Sequence, residues 1–245
     1  MSTFSEQISS NKAAIRFDVV GVRSALQWRG HVLVTTPGLC EVSTRSPKDS
    51  PISVWYYDEA VKSIRYENEQ LILTSFWEEG ELNKIMVTML ANQMDKEGLH
   101  PFHSSSVVYR GHGILLVGGE NNHGKSMTQL EGCRRGASIF STETTVMDHE
   151  TGIALYGSKN IYVRKRAKGT ERSDLADQDE GVKMFFGDEP EMPMCYEPTN
   201  MDLAIMPCID GWFKPRSSPW ASSKPPIRAI TSMMNFFGLN QLLCG

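Results

Sequence analysis

No stretch of the chain approaches the roughly 18 consecutive apolar residues that a membrane-crossing helix needs, and residues 1–14 are mostly polar. That opening has the character of neither a secretory leader nor a basic amphipathic presequence, so a cytoplasmic protein without a membrane partner is expected. Cysteine is scarce: Cys40, Cys133, Cys195, Cys208 and Cys244 are an odd number with no C-x-x-C pair. Those spacings match no common zinc pattern and argue against a disulfide framework, leaving free thiols as the expectation. Neither sign of charge dominates, with 25 basic and 29 acidic residues giving a net charge of −4, so nothing overall favours a nucleic-acid partner. There is no internal repeat. What remains is an ordinary globular composition, 40% hydrophobic and 22% charged, long enough at 245 residues for one large domain or two small ones.

The six histidines scatter, except for His100 and His103. A spacing of three could place both on one helical face, but Pro101 between them disfavours a helix and no further ligand accompanies them, so a metal site there is not expected. Charge is distributed unevenly. Residues 1–98 carry 10 basic and 13 acidic groups, 99–170 carry 9 and 5, and 171–245 carry 6 and 11. The middle third alone is basic, which is where an anionic ligand would be held.

Periodicity divides the chain into a β-rich module, residues 1–97, and an α/β core, residues 98–245. In the first, strands are predicted at Ile15–Val22, His31–Thr35, Ile52–Tyr57 and Gln70–Phe76. The period then changes: Leu82, Ile85, Met86, Met89, Leu90 and Met94 recur at helical spacing over Glu78–Lys96, predicting an amphipathic helix that joins the two parts. In the core the pattern is strand Ser105–Tyr109, a turn with two glycines, strand Ile114–Val117, a loop, and a helix from Lys125 to Arg135 with Met127, Leu130 and Cys133 inward. A strand Ala137–Phe140 follows, then a hairpin over Val146–Tyr156, a strand Ile161–Val163 and a basic run to Gly169. Glu171–Met194 reads as a mobile acidic loop anchored by Val182–Phe186. Leu203–Met206 is a further strand, Arg216–Pro226 a linker, and Ile227–Leu243 a terminal amphipathic helix that could pack internally or join copies of the chain into a homo-oligomer.

Gly119-Glu120-Asn121-Asn122-His123-Gly124-Lys125-Ser126 matches G-x-x-x-x-G-K-[ST], the Walker A form of a P-loop. A chance match in a chain of this composition has a probability of about one in a hundred. It also stands between an apolar strand and a helix, the arrangement that aims backbone N–H groups and a positive helix end at phosphates. Gly119 and Gly124 let the backbone curl, and Asn121 and Asn122 tolerate left-handed conformations. Lys125 would serve the β- and γ-phosphates and Ser126 a Mg²⁺ ion, with Glu120, His123 and Met127 completing the nucleotide contacts. Seventeen and eighteen residues after Lys125 come Thr142 and Glu143. An acid at that strand end could orient Mg²⁺ or accept a proton from a substrate hydroxyl.

The stretch from His103-Ser104-Ser105 through the P-loop to Arg135-Gly136-Ala137-Ser138-Ile139-Phe140-Ser141-Thr142-Glu143 resembles the catalytic core of the HPr kinase/phosphorylase family. Relatives of that family include small kinases of peptide-tailoring clusters and, more distantly, phosphoenolpyruvate carboxykinases. The resemblance covers about residues 100–148. It implies a P-loop-containing, HPr-kinase-like mixed-sheet core, a proton or phosphate role for His103, and a general-base or metal role for Glu143. Thr142 replaces the first of two family aspartates, and the family's later Glu-x-x-Gly metal motif is replaced by Val163-Arg164-Lys165-Arg166-Ala167-Lys168-Gly169. Both departures point to a simple kinase without phosphorylase activity. Arg164 and Arg166 could neutralise charge developing in transfer, as cationic clamps do.

The resulting expectation is an ATP- and Mg²⁺-dependent kinase acting on a hydroxyl of a peptide, protein or small molecule. Lys125, Glu143, His103, Arg164 and Arg166 would be its catalytic residues, and Ser126 and Glu143 its metal ligands. The rival reading is a nucleotide-binding scaffold in which Thr142 marks loss of catalysis. A nucleoside triphosphatase is a poorer match, because Leu203–Met206 runs into Pro207 rather than an acid.

Overall fold

The structure is a computed structural model and describes residues 3–10, 13–20, 40–43, 52–56, 61–75, 77–118, 124–159, 161–164, 182–185, 189–207 and 217. The predicted strand His31–Thr35, residues 119–123 of the P-loop, Arg166 and the terminal helix Ile227–Leu243 lie outside the described residues, as does all but one residue of the linker Arg216–Pro226. The class is α/β, with few helices and two mixed six-stranded sheets. None of the described helices is long and apolar enough to cross a membrane.

The first sheet contains β1 (Thr3–Ser10), β2 (Ala13–Val20), β3 (Cys40–Ser43), β4 (Ile52–Tyr56), β5 (Ser63–Glu67) and β6 (Gln70–Thr74), in the order β3-β1-β2-β4-β6-β5. β2, β4 and β6 run parallel, and the other neighbours are antiparallel. The polar opening of the chain is therefore the strand β1. Its ladder is fixed by apolar pairing: Ile8 lies opposite Ile15, and both are fully buried.

Helix α1 (Glu79–Lys96) follows the predicted period, and all six residues of its apolar stripe are buried. The Glu81 carboxylate accepts the Glu78 N–H at 2.9 Å, satisfying one of the amides that a helix start leaves open. The stripe packs on Ile8, Ile15, Leu71 and Leu73 from the first sheet, and on Leu99 and Val146 from the second. A single apolar core thus runs across the joint near residue 97.

The second sheet is built on β7 (Leu99–Tyr109) and β8 (His112–Val117), followed by helix α2 (Lys125–Arg134), β9 (Ser138–Ser141), β10 (Thr144–Asp148) and β11 (Ile153–Gly157). β12 (Ile161–Arg164) and β13 (Val182–Phe185) form a separate antiparallel pair, and β14 (Thr199–Ile205) returns to the sheet parallel to β8. The order is β10-β11-β14-β8-β7-β9, and β10 also pairs with β7, so β7, β8, β14, β11 and β10 close into a ring. β7 begins six residues before the predicted strand and includes Pro101. A proline is tolerated there because residues 99–103 are laddered to β10 while β8 pairs only with 104–109. The predicted hairpin turn at Asp148–Glu150 joins β10 to β11, with the Asp148 carboxylate accepting the N–H groups of Glu150 and Thr151.

The acidic stretch needs correcting in its described parts. Residues 182–185 are a strand, and residues 192–195 dock on β9: Pro193 O accepts the Ile139 N–H at 2.7 Å, Ile139 O accepts the Cys195 N–H at 2.8 Å, and Met192 is fully buried. The open edge of β9 supplies the partner that composition could not reveal.

β11 approaches the end of β9 and the start of β10 unusually closely at Gly157, where a Cβ would stand 2.3 Å from Ser141 Cβ and 2.7 Å from Thr144 O. Gly157→Ala is expected to lower stability by about 1–3 kcal/mol through overpacking, read as a fall in urea midpoint at unchanged slope.

Candidate functional site

The site is assembled on one strand. On one edge of β7, Ser104 pairs with Val117 at the end of β8, immediately before the P-loop. On its other edge Ser104 N–H donates to Glu143 O at 3.1 Å, and His103 pairs with Thr144. The chain from β9 to β10 is in effect one strand bent at Thr142 and Glu143, so antiparallel pairing carries Glu143 back to the level of the end of β8. Residues distant in sequence meet because β7 is laddered on both sides.

Helix α2 then lies over the face of β7 that carries His103, Ser105 and Val107. Gly124, at φ +93°, turns the chain into the helix in the left-handed conformation that its missing Cβ permits. Lys125, Gln129 and Cys133, spaced by four, form the inward line of α2. Lys125 Nζ lies 3.4 Å from His103 Nε2, and buried Gln129 donates through Nε2 to Ser141 O at 2.6 Å and Ser106 O at 3.3 Å. Leu130 and Cys133 pack against Val107, Ala137, Ile139 and Met192. Met127, predicted inward, is instead 51% exposed. Two residues along a helix is a rotation of about 200°, so docking Lys125 on β7 turns Met127 outward.

His103, Lys125 and Glu143 form a cluster largely removed from water. Burial, and secondarily the Lys125 ammonium, hold the His103 imidazole at a pKa of about 3, so it is neutral at physiological pH. Burial lowers the pKa of Lys125, partly countered by Glu143. Burial raises that of Glu143, partly countered by Lys125. A cation ready to meet an anion, a carboxylate with raised basicity and a neutral imidazole thus share one pocket at the start of a helix. Such a constellation can bind a phosphate group and accept a proton beside it.

Behind Glu143 the protein is packed with hydroxyls. Ser104, Ser106, Ser141 and Thr145 are fully buried and bonded to one another, with Ser104 Oγ to Thr145 Oγ1 at 2.8 Å and Ser106 Oγ to Ser141 Oγ at 2.6 Å. Thr142 is also fully buried. Its hydroxyl donates to Ser158 O at 3.1 Å and lies 3.0 Å from Ser158 Oγ. Thr142 is therefore committed to the fold, and Glu143 is the carboxylate that the bend presents. Ser158 and Gln129 went unremarked in the sequence; a serine or glutamine carries no signal until its partners are placed.

His100 and His103 diverge, as an odd spacing on a strand requires. His100 Nδ1 is 2.7 Å from Asp95 Oδ1 and its Nε2 is 3.1 Å from His149 Nδ1. Ser126 is half-buried in the first turn of α2. Among the described residues no group of three or more His, Cys, Asp or Glu side chains is arranged to hold a metal ion. β14 runs parallel beside β8, yet its end at Ile205, Met206 and Pro207 brings no acid to the site. Arg164 ends β12; its side chain, like Arg166 and Gly119, Glu120, Asn121, Asn122 and His123, lies outside the described residues.

Two variants probe this arrangement. Between pH 6.5 and about 3 the unfolded chain binds a proton at His103 that the folded protein refuses, so stability falls as pH drops through that window. Glu143 acts oppositely, because the folded protein retains its proton above the ordinary carboxylate range. His103→Asn should therefore flatten the acid limb, by up to about 1.4 kcal/mol per pH unit relative to wild type, in urea titrations at pH 4–7. Thr142→Asp cannot donate to Ser158 O and buries a charge, so a loss of about 2–4 kcal/mol is expected in the same measurement. No family model matches the chain and no curated protein matches it; the chemistry of the cluster itself carries the functional reading.

Proposed function

We propose that the protein is an ATP-dependent kinase that transfers the γ-phosphoryl group to a hydroxyl of a peptide, protein or small-molecule acceptor. The observation that carries this reading is the convergence of half-buried Lys125, the lysine of the Gly-x-x-x-x-Gly-Lys-Ser sequence in the first turn of α2, with His103 at 3.4 Å and with Glu143. The HPr-kinase-like order of these residues along the chain supports the same reading, including a P-loop core of that type.

Lys125 would neutralise the phosphates. Glu143 would take the proton of the acceptor hydroxyl as its oxygen bonds to the γ-phosphorus and the bond from that phosphorus to the ADP oxygen breaks. The raised pKa of Glu143 suits a proton acceptor, and neutral His103 leaves Lys125 as the positive group beside it. Arg164 and Arg166 are candidates for further phosphate contacts. The donor set fits Mg²⁺: the ion is commonly held by one or two protein oxygens together with phosphates and water, and Ser126 and Glu143 are the residues that would hold it. When bound, Mg²⁺ supplies charge stabilisation to the phosphates.

A nucleotide-binding scaffold is the second reading, favoured by Thr142, whose hydroxyl faces Ser158 and leaves a single acid. Incubation with γ-labelled ATP, Mg²⁺ and a panel of peptides and alcohols separates the two. Lys125→Ala should abolish Mg·nucleotide binding, whereas Glu143→Gln should bind nucleotide within a few-fold of wild type and lose about 10²–10⁴-fold in turnover. Wild type that binds Mg·ATP tightly and labels no acceptor would establish the scaffold.

A further inference from the structure

The bend that presents Glu143 breaks the regular ladder between β10 and the residue that follows β11. Ser158 N–H donates to Thr144 O at 3.0 Å, as an antiparallel pair requires, but Ser158 O receives the Thr142 N–H at 2.9 Å instead of that of Thr144. Two consecutive amides, those of Glu143 and Thr144, then turn to a side chain. Both go to one atom: Ser158 Oγ accepts the Glu143 N–H at 2.9 Å and the Thr144 N–H at 3.0 Å.

The hydroxyl of Ser158 is thereby used in full. A serine hydroxyl offers two lone pairs and one hydrogen. Two amides take the lone pairs. The hydrogen goes to Thr142 Oγ1 at 3.0 Å, because the hydrogen of that threonine is given to Ser158 O. The group is fully buried, so water cannot replace it. Gly157 beside it admits Ser141 and the Thr144 carbonyl at distances no side chain would allow, bringing Ser158 close enough to serve both amides.

We infer that Ser158 is the positioning residue of the site, its hydroxyl clasping the amides of residues 143 and 144 so that Glu143 is presented to Lys125. The inference rests on the phosphoryl-transfer reading and adds to it a residue that touches neither substrate nor nucleotide. Without the hydroxyl, the amides of Glu143 and Thr144 lose the shared acceptor that holds the bend, which re-aims Glu143. Lys125 and the phosphate cradle, held by α2, are left in place.

The test is Ser158→Ala in the full chain, alone and combined with Glu143→Gln, compared for Mg·ADP affinity, turnover and amide hydrogen exchange. Expected are a Kd for Mg·ADP within a few-fold of wild type, as for Glu143→Gln, a kcat lowered by about 10- to 100-fold, and faster exchange at the amides of residues 143 and 144. On the Glu143→Gln background the same change should leave kcat within about twofold, because non-additivity marks residues that act as a unit. Unchanged exchange, unchanged kcat, or a full-size effect on the Glu143→Gln background would each overturn the inference. If the alanine variant does not fold, Ser158→Cys, which keeps the side-chain shape and weakens the acceptor, is judged by the same outcomes. If wild type binds Mg·ADP and never turns over, the kinase reading fails, and exchange at residues 143 and 144 alone decides for or against the clasp.

Discussion

The two-sided pairing of β7 is the constraint from which the rest of the architecture follows. One edge of this strand holds the strand that leads into the P-loop, and the other holds the chain that carries Glu143. Registers on both edges are set by side-chain alternation, and a slip of one residue would exchange the hydroxyl face for the face under α2. His103 and Lys125 meet because β7 and α2 share that face. Glu143 joins them because its bend lies at the same height on the opposite ladder.

Enclosing three ionisable groups carries an electrostatic cost, visible in the direction of each pKa. Water is withdrawn from all three, and each charged form is disfavoured. Lys125 and Glu143 partly compensate one another, while His103 escapes the cost by staying neutral. Desolvation of this kind makes a lysine more responsive to an incoming phosphate and a carboxylate a better proton acceptor. Such a cluster persists only if the surrounding fold supplies the missing stability. That support comes from the apolar core around α1, which spans both sheets, and from the buried hydroxyl layer behind the bend. Hydroxyls suit this position because each can be satisfied by a neighbour without adding a further charge.

Much of this organisation was readable in the residue pattern. The six-residue stripe of α1, the strands flanking the P-loop, the helix opened by Lys125 and the hairpin after Thr144 all carry strong periodic or turn signals. Glu143 could be named from its distance behind Lys125, and His103 from the resemblance. Less legible was anything governed by a partner far along the chain. β1 is a mostly polar stretch that gains its place through partners in β2 and β3, and the segment around Met192 looks like acidic loop until the edge of β9 is there to receive it. Met127 is apolar yet faces outward, because α2 is oriented by Lys125 and Gln129.

Composition and local pattern were enough to establish an α/β protein with a basic middle third and a Gly-x-x-x-x-Gly-Lys-Ser sequence between strand and helix, since those features depend on neighbours a few residues away. Which side chains surround Lys125 depended on strand register between segments dozens of residues apart. Thr142 illustrates the difference. In sequence it is an uncharged neighbour of Glu143. In the folded protein its hydroxyl completes the bonding of Ser158, because antiparallel pairing brings residue 158 against residue 142 where no water remains to serve either one.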